Sequence, residues 1–138
     1  MILLTRRYAF AAAHVLSHDS FSEEENFRVF GKCANPGGHG HNYGVEVTVS
    51  GPVDEQSGEV MDRTRLDGLV KERVLERFSH GMLNDDALFA ECVPTAENIA
   101  RAIYGRLQQP LSQLGSARLV RVRVLETRKN AFVYGDPE

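Results

Sequence analysis

The sequence predicts an α+β domain with an antiparallel sheet and two helices on one face, in the order β-β-α-α-β-β. Three observations predict it. Two alternating apolar–polar segments open the chain, two segments with apolar residues at helical spacing follow, and two more alternating segments close it.

The first strand spans Ile2 to His14, where Tyr8, Phe10, Ala12 and His14 share one parity and project from one face. From Val15 to Gly40 no period holds. The acidic run Glu23 to Glu25 and the Asn35-Pro36-Gly37-Gly38 stretch read as a long loop with a helical turn near Glu23 to Phe27. Long loops without structure of their own are often functional. A second strand runs from about His41 to Gly51, with Val45, Val47 and Val49 on one face, and Gly51-Pro52 ends it. Asp62 is a good N-cap for a helix to about Phe78, whose buried stripe is Leu66, Leu69, Val70, Val74 and Phe78. Ser79 to Val93 is irregular. Thr95 then caps a second helix, with Ala96, Ile99, Ala100, Ile103 and Leu107 buried and Pro110 stopping it. Strands from about Arg118 to Glu126 and from Ala131 to Tyr134, separated by a turn, complete the sheet. There is no internal repeat and no linker, so residues 1–138 are expected to form one domain.

Composition bounds the function. The 138 residues are 42% apolar and 25% charged, which excludes disordered and low-complexity classes. Sixteen Lys and Arg against nineteen Asp and Glu leave a net charge of −3, without the basic excess of a nucleic-acid protein. No apolar run is long enough to span a bilayer, and Ile2 to Leu4 precede Arg6 and Arg7, the reverse of a signal peptide. Two cysteines make no disulfide framework, so a soluble protein in a reducing, cytoplasmic setting is expected, with no nucleic-acid or membrane partner.

The histidines carry the chemistry. On a strand, His39 and His41 point to one face, with the parity of Val45 and Val47. His14 continues the buried face of the first strand. If those strands pair antiparallel, three imidazoles converge on one ion and leave an open position, the arrangement of catalytic zinc. A lone histidine is more often an ordinary core or surface residue, and it is the pattern of three that favours a metal. Cys33, six residues before His39, is open to several roles: a fourth ligand, which spacing alone ranks first, a nucleophile, a proton-transfer group, or an inert thiol. Beside a metal and imidazoles its pKa would be lowered. Cys92 reads as a small buried apolar residue. Glu126 has two open readings. By alternation it faces the packed side and needs a donor such as the adjacent N–H groups of a purine or pterin; if the strand has already ended, it is solvated.

Five stretches together resemble a known family: FAAAH (Phe10 to His14), GKCANPGGHGHNY (Gly31 to Tyr43), SHGMLN (Ser79 to Asn84), PTAEN (Pro94 to Asn98) and LET (Leu125 to Thr127). In that order and spacing the chain resembles the 6-pyruvoyl-tetrahydropterin synthases, a family that includes the bacterial 6-carboxy-tetrahydropterin synthases. The Gly31 to Tyr43 block is the specific part.

The resemblance implies a tunnelling fold (T-fold), in which three subunits join their sheets into a barrel and two trimers commonly stack, with active sites between subunits. Such a homo-oligomer would cover both sheet edges. It also implies that His14, His39 and His41 bind Zn2+, that Cys33 is the catalytic thiol rather than a ligand, and that His80 is the catalytic histidine. Glu126 would anchor the pterin ring, and Thr95 would lie in the pocket's lining. The implied substrate is the small molecule 7,8-dihydroneopterin triphosphate, with no organic cofactor. Zinc would acidify the substrate's side-chain hydroxyls and adjacent C–H bonds, Cys33 would remove a proton, His80 would return one, and triphosphate would leave by elimination, a lyase reaction.

The chain departs from the family's pattern at Ser79, where an aspartate usually precedes the histidine; a serine can hydrogen-bond but adds no charge, and Asp85 or Asp86 could take that place. Arg28, Lys32, Arg128 and Lys129 are the candidate triphosphate contacts. The five residues between Cys33 and His39 favour the pyruvoyl type over the carboxy type, which would release acetaldehyde. A non-catalytic pterin- or purine-binding protein is the competing class, favoured only by Ser79.

Overall fold

A computed structural model describes residues 1–137. Four strands, β1 (Ile2–His14), β2 (His39–Gly51), β3 (Arg118–Leu125) and β4 (Ala131–Gly135), form one antiparallel sheet in the order β1-β2-β3-β4. Helix α1 (Glu23–Phe30) lies between β1 and β2, and α2 (Arg63–Val70), α3 (Glu76–Phe78) and α4 (Ala96–Ser112) lie between β2 and β3. A π-helical turn at Lys71–Leu75 joins α2 to α3, so the helix expected after Asp62 is continuous to Phe78. The α+β class and the order of its main elements agree with the sequence reading.

One face of the sheet carries the core. Phe10 and Ala12 of β1, Tyr43, Val45, Val47 and Val49 of β2, and Val122 and Val124 of β3 are buried against Leu66, Val70, Val74 and Phe78 on one side and Ile99, Ile103, Leu107 and Leu111 of α4 on the other. Each such side chain contributes about 1.5–3 kcal/mol when fully buried. Phe10 stacks on Tyr43 with ring centroids 5.1 Å apart and leans on Phe78 at 5.9 Å. The opposite face is polar: Glu46 bridges Arg7 (2.8 Å) and Arg123 (3.1 Å), and the Thr5 and Thr48 hydroxyls are 2.8 Å apart.

Four details differ from the sequence reading. Glu23 to Phe30 is a complete helix rather than one turn, because Ser22 caps it: its hydroxyl accepts the Glu25 N–H and donates to the Glu25 carboxylate, both at 3.1 Å. Strand β2 begins at His39 rather than His41, so both histidines belong to the ladder. Pro110 does not end α4, which continues to Ser112 and buries Leu111 fully; the proline removes one N–H bond and crowds the carbonyl one turn back, and burial of Leu111 offsets that cost in the last turn. The β2–β3 register shifts between Thr48 and Val49, so Leu119, not Val120, lies opposite Val49, and β3 ends at Leu125, one residue before Glu126. No helix among the described residues is long and apolar enough to cross a membrane.

Candidate metal centre and active site

The β1–β2 ladder sets His14 opposite His39 and Ala12 opposite His41. Paired residues of an antiparallel ladder share a face, so the three imidazoles extend the buried face past the apolar core, as the parity argument requires. The His39 and His41 ring centroids are 4.5 Å apart, and those of His14 and His41 are 4.9 Å apart. Gly38, which feeds β2, adopts φ +86° and faces Met82 so closely that a Cβ there would lie 2.7 Å from the Met82 methyl. The Met82 methyl is the end of a flexible side chain and could shift, so it is the positive φ that favours glycine at the entry to the histidine pair.

His14 is fully buried, and its Nδ1 lies 2.9 Å from the Pro94 carbonyl oxygen. A carbonyl only accepts, so Nδ1 holds the proton and Nε2 presents a lone pair. The Tyr43 hydroxyl, 3.1 Å from the same nitrogen, is a second polar partner. The Pro94 carbonyl is itself held in place. Thr95 Oγ1 accepts the Asn98 N–H at 3.2 Å, and the Asn98 amide donates to the Val93 carbonyl at 2.8 Å.

His14 Nε2 and His41 Nε2 are buried without any hydrogen-bond partner. Such orphans are rare in folded proteins and call for an explanation. One ligand atom each from His14, His41 and Cys33 lie within 4.8 Å of one another, so one cation among them would satisfy both nitrogens and the sulfur. This donor set suits a zinc-type ion. Burial, then the neighbouring His14 and His39, lowers the His41 pKa to about 4, keeping the ring in its neutral, ligating form at physiological pH.

Cys33 is therefore brought to the cluster, whereas His39 is half-buried at its edge and lies outside that tightest group. Burial, then the Glu126 carboxylate, pushes the Cys33 thiol up. The lowering expected from the sequence thus needs the positive charge of a bound ion, which the polypeptide alone does not supply. The same two causes, with Cys33 added, raise the Tyr43 phenol. Glu126 is half-buried, and its carboxylate has no partner among the described residues, so it remains free to accept from a ligand. The Thr95 hydroxyl oxygen serves as the α4 cap, leaving its proton available for donation.

A cavity of about 690 Å³ opens beside the cluster, bounded by Val15, Phe27, Lys32, Asn35, Pro36 and His39 among others. Lys32 is the one of the four candidate cations that lines it; Arg28, Arg128 and Lys129 do not.

His80 does not line that cavity. It lines a pocket with Ala11, Ala13, His41 and Asn42, and has φ +59°, the only positive φ among the described non-glycine residues. Its N–H donates to the Ala11 carbonyl at 2.6 Å, and Ala13 N–H donates to the Gly81 carbonyl at 2.9 Å. Such a backbone persists only where its surroundings over-determine it, and it marks functional positions more than structural ones. Ser79 is half-buried beside it. Asp86 does not take the place of an orienting aspartate, because Arg77 holds it with two 2.8 Å bonds and it caps Leu88. Cys92 is exposed rather than buried, and His18 is occupied by Ser20, whose hydroxyl lies 2.6 Å from its ring. Sequence reasoning missed Tyr43, Pro94 and Asn98 as the supports of His14; Tyr43 alone left a signal, by sharing the parity of His41.

The fold and site define an α+β sheet protein with an imidazole–thiol cluster, at the end of its first two strands, that could hold a metal ion. The comparisons make the class specific: a family model described as 6-pyruvoyl tetrahydropterin synthase matches residues 3–137. The human 6-pyruvoyl tetrahydrobiopterin synthase is 42% identical over 132 residues, covering 95% of this chain and 89% of that protein. The Bacillus subtilis 6-carboxy-5,6,7,8-tetrahydropterin synthase is 30% identical over 129 residues, covering 90% and 78%. The solved structure of Caenorhabditis elegans 6-pyruvoyl tetrahydropterin synthase superposes with a TM-score of 0.85 at 36% identity, covering 97% of this chain and 94% of that one. The chain belongs to the 6-pyruvoyl tetrahydropterin synthase family, and its fold is the T-fold.

Proposed function

We propose that this chain is a zinc-dependent 6-pyruvoyl-tetrahydropterin synthase, a carbon–oxygen lyase that acts on 7,8-dihydroneopterin triphosphate and releases triphosphate. The observation that carries this reading is the pair of orphaned imidazole nitrogens, His14 Nε2 and His41 Nε2, beside the Cys33 thiol. His14, His39 and His41 would hold the ion. When bound, zinc would supply Lewis acidity toward the hydroxyls of the substrate side chain.

The chain's own groups do the rest. Glu126 accepts the paired N–H groups of the pterin ring, fixing its orientation, and the Thr95 hydroxyl adds a donor. Lys32 meets the triphosphate. Cys33, ionised beside the cation, takes a carbon-bound proton, and the carbon–oxygen bond to triphosphate breaks with the electron pair leaving on the phosphate oxygen. His80 delivers a proton to the ring. The side chain is oxidised as the ring is reduced, so the redox change is internal and needs no further reactant.

His80 does not line the cavity that Lys32 and His39 line, which fits a site built between subunits. The unpaired edges of β1 and β4 carry exposed Ile2, Leu3, Val133 and Tyr134, the surfaces a closed barrel would cover. A trimer or dimer of trimers in the cytoplasm is accordingly part of the proposal.

The B. subtilis relative supports a second reading, the carboxy-type reaction on the same substrate. Incubating the zinc-loaded protein with dihydroneopterin triphosphate separates the two. Triphosphate release with a 6-pyruvoyl product is expected. Acetaldehyde in proportion to turnover would assign the carboxy type, and binding without triphosphate release would leave only a pterin-binding protein.

A further inference from the structure

Away from the histidine cluster, two arginines face one groove without carboxylate partners. Arg73, in the π-helical turn, and Arg106, of α4, line a groove of about 570 Å³ together with Leu88, Ala102, Gln109 and Gln113. Arg73 Nε is buried and makes no hydrogen bond. Arg106 Nε donates to the Arg73 carbonyl oxygen at 2.9 Å, which ties the two arginines together across the helix pair. Neither forms an ion pair among the described residues, whereas Arg77, one turn further on, is neutralised by Asp86.

The local charge balance is therefore positive. Burial first, then Arg77 and Arg73, lowers the Arg106 pKa, against the opposing pull of Asp86 and Glu72. A buried guanidinium N–H without an acceptor is costly, and a planar fork of donors matches an oxyanion better than any neutral group. The π-turn that carries Arg73 points the same way, since such insertions in a helix recur at functional positions.

We propose that this groove is a second ligand site, separate from the cavity lined by Lys32 and His39, that takes a small phosphorylated molecule. Its phosphate oxygens accept from Arg73 and Arg106, the Gln109 and Gln113 amides are available to the same anion, and its apolar body lies on Leu88 and Ala102.

Calorimetric titration of the full-length zinc-loaded protein at low ionic strength tests this, with AMP and inorganic pyrophosphate as probes and adenosine as the uncharged control. The side chain of Arg73 makes no hydrogen bond in the fold, so Arg73→Gln is expected to keep the wild-type melting temperature. AMP is expected to bind more tightly than pyrophosphate, and adenosine not at all. Arg73→Gln and Arg106→Gln should each weaken AMP by about tenfold, the worth of one charge-assisted hydrogen bond. Lys32→Gln, in the other cavity, should leave AMP affinity unchanged. The proposal is overturned if AMP and pyrophosphate both fail to bind, if adenosine binds as well as AMP, if both arginine variants keep wild-type affinity, or if Lys32→Gln abolishes binding.

Discussion

His80 has the only positive φ among the described non-glycine residues, and Ser79, beside it, stands where the resemblance would place an aspartate. The left-handed backbone at His80 is held by β1 through the Ala11 and Ala13 hydrogen bonds, which fix where the residue leaves the loop. Asp86 is committed to Arg77, so it does not supply the charge that an aspartate before the histidine would. Ser79→Asp is expected to raise turnover several-fold with an unchanged melting temperature, because a carboxylate there would stabilise the imidazolium. A rate equal to or below wild type, in folded protein, would show that Ser79 does not occupy the orienting position. The three imidazoles were legible from parity because a strand's period of two fixes which residues share a face. The strained backbone at His80 was not legible, since it arises from hydrogen bonds to a strand far away in sequence.

Among the elements, the junction before α4 connects helix capping to the metal cluster. Asn98 holds the Val93 carbonyl and Thr95 caps the helix, so the Pro94 carbonyl between them meets His14 Nδ1 at a fixed angle. Supports of this kind tune metal affinity by about 10–100-fold. Asn98→Ala is accordingly expected to weaken zinc binding by about tenfold, read by chelator competition on the folded protein; unchanged affinity would mean that Pro94 is held by packing alone. A second junction, Arg77 to Asp86, ties α3 to the segment that follows. The Arg77 guanidinium, with help from the Leu88 N–H, holds the Asp86 carboxyl below its usual range against the effect of burial. A depressed carboxylate contributes stability above its ordinary pKa of 3.8 and loses it as pH falls through the lower, folded value. Asp86→Asn should therefore unfold more easily at neutral pH and show a smaller loss between neutral pH and the acid limb than wild type, measured by denaturant midpoints across that range. An equal slope in the two proteins would show that this pair does not contribute to acid sensitivity. At this scale the sequence showed strands and long helices through their apolar periods, but not the π-turn, which leaves the stripe of Leu66, Val70, Val74 and Phe78 intact. The capping box at Ser22 and Glu25 was present in the sequence and would have announced α1.

For the whole molecule, the sheet has two free edges and His80 lies outside the cavity that Lys32 and His39 line, and association of several copies would resolve both. Sedimentation should give the mass of a trimer or of two stacked trimers, and mixing Cys33→Ala with His80→Ala protein should restore part of the activity that each lacks, since some sites would then draw an intact Cys33 and an intact His80 from different subunits. A monomeric, fully active protein would contradict this. None of it was visible in composition or length, because closure of a barrel depends on edges that only the folded sheet displays. The most direct test lies in the division of labour at the cluster. Zinc content should be measured in purified Cys33→Ala and His39→Ala proteins, alongside turnover of dihydroneopterin triphosphate. The account predicts that Cys33→Ala retains stoichiometric zinc while losing activity, and that His39→Ala loses the metal. Loss of zinc from Cys33→Ala, with zinc retained by His39→Ala, would make the sulfur a ligand and contradict its role as the base.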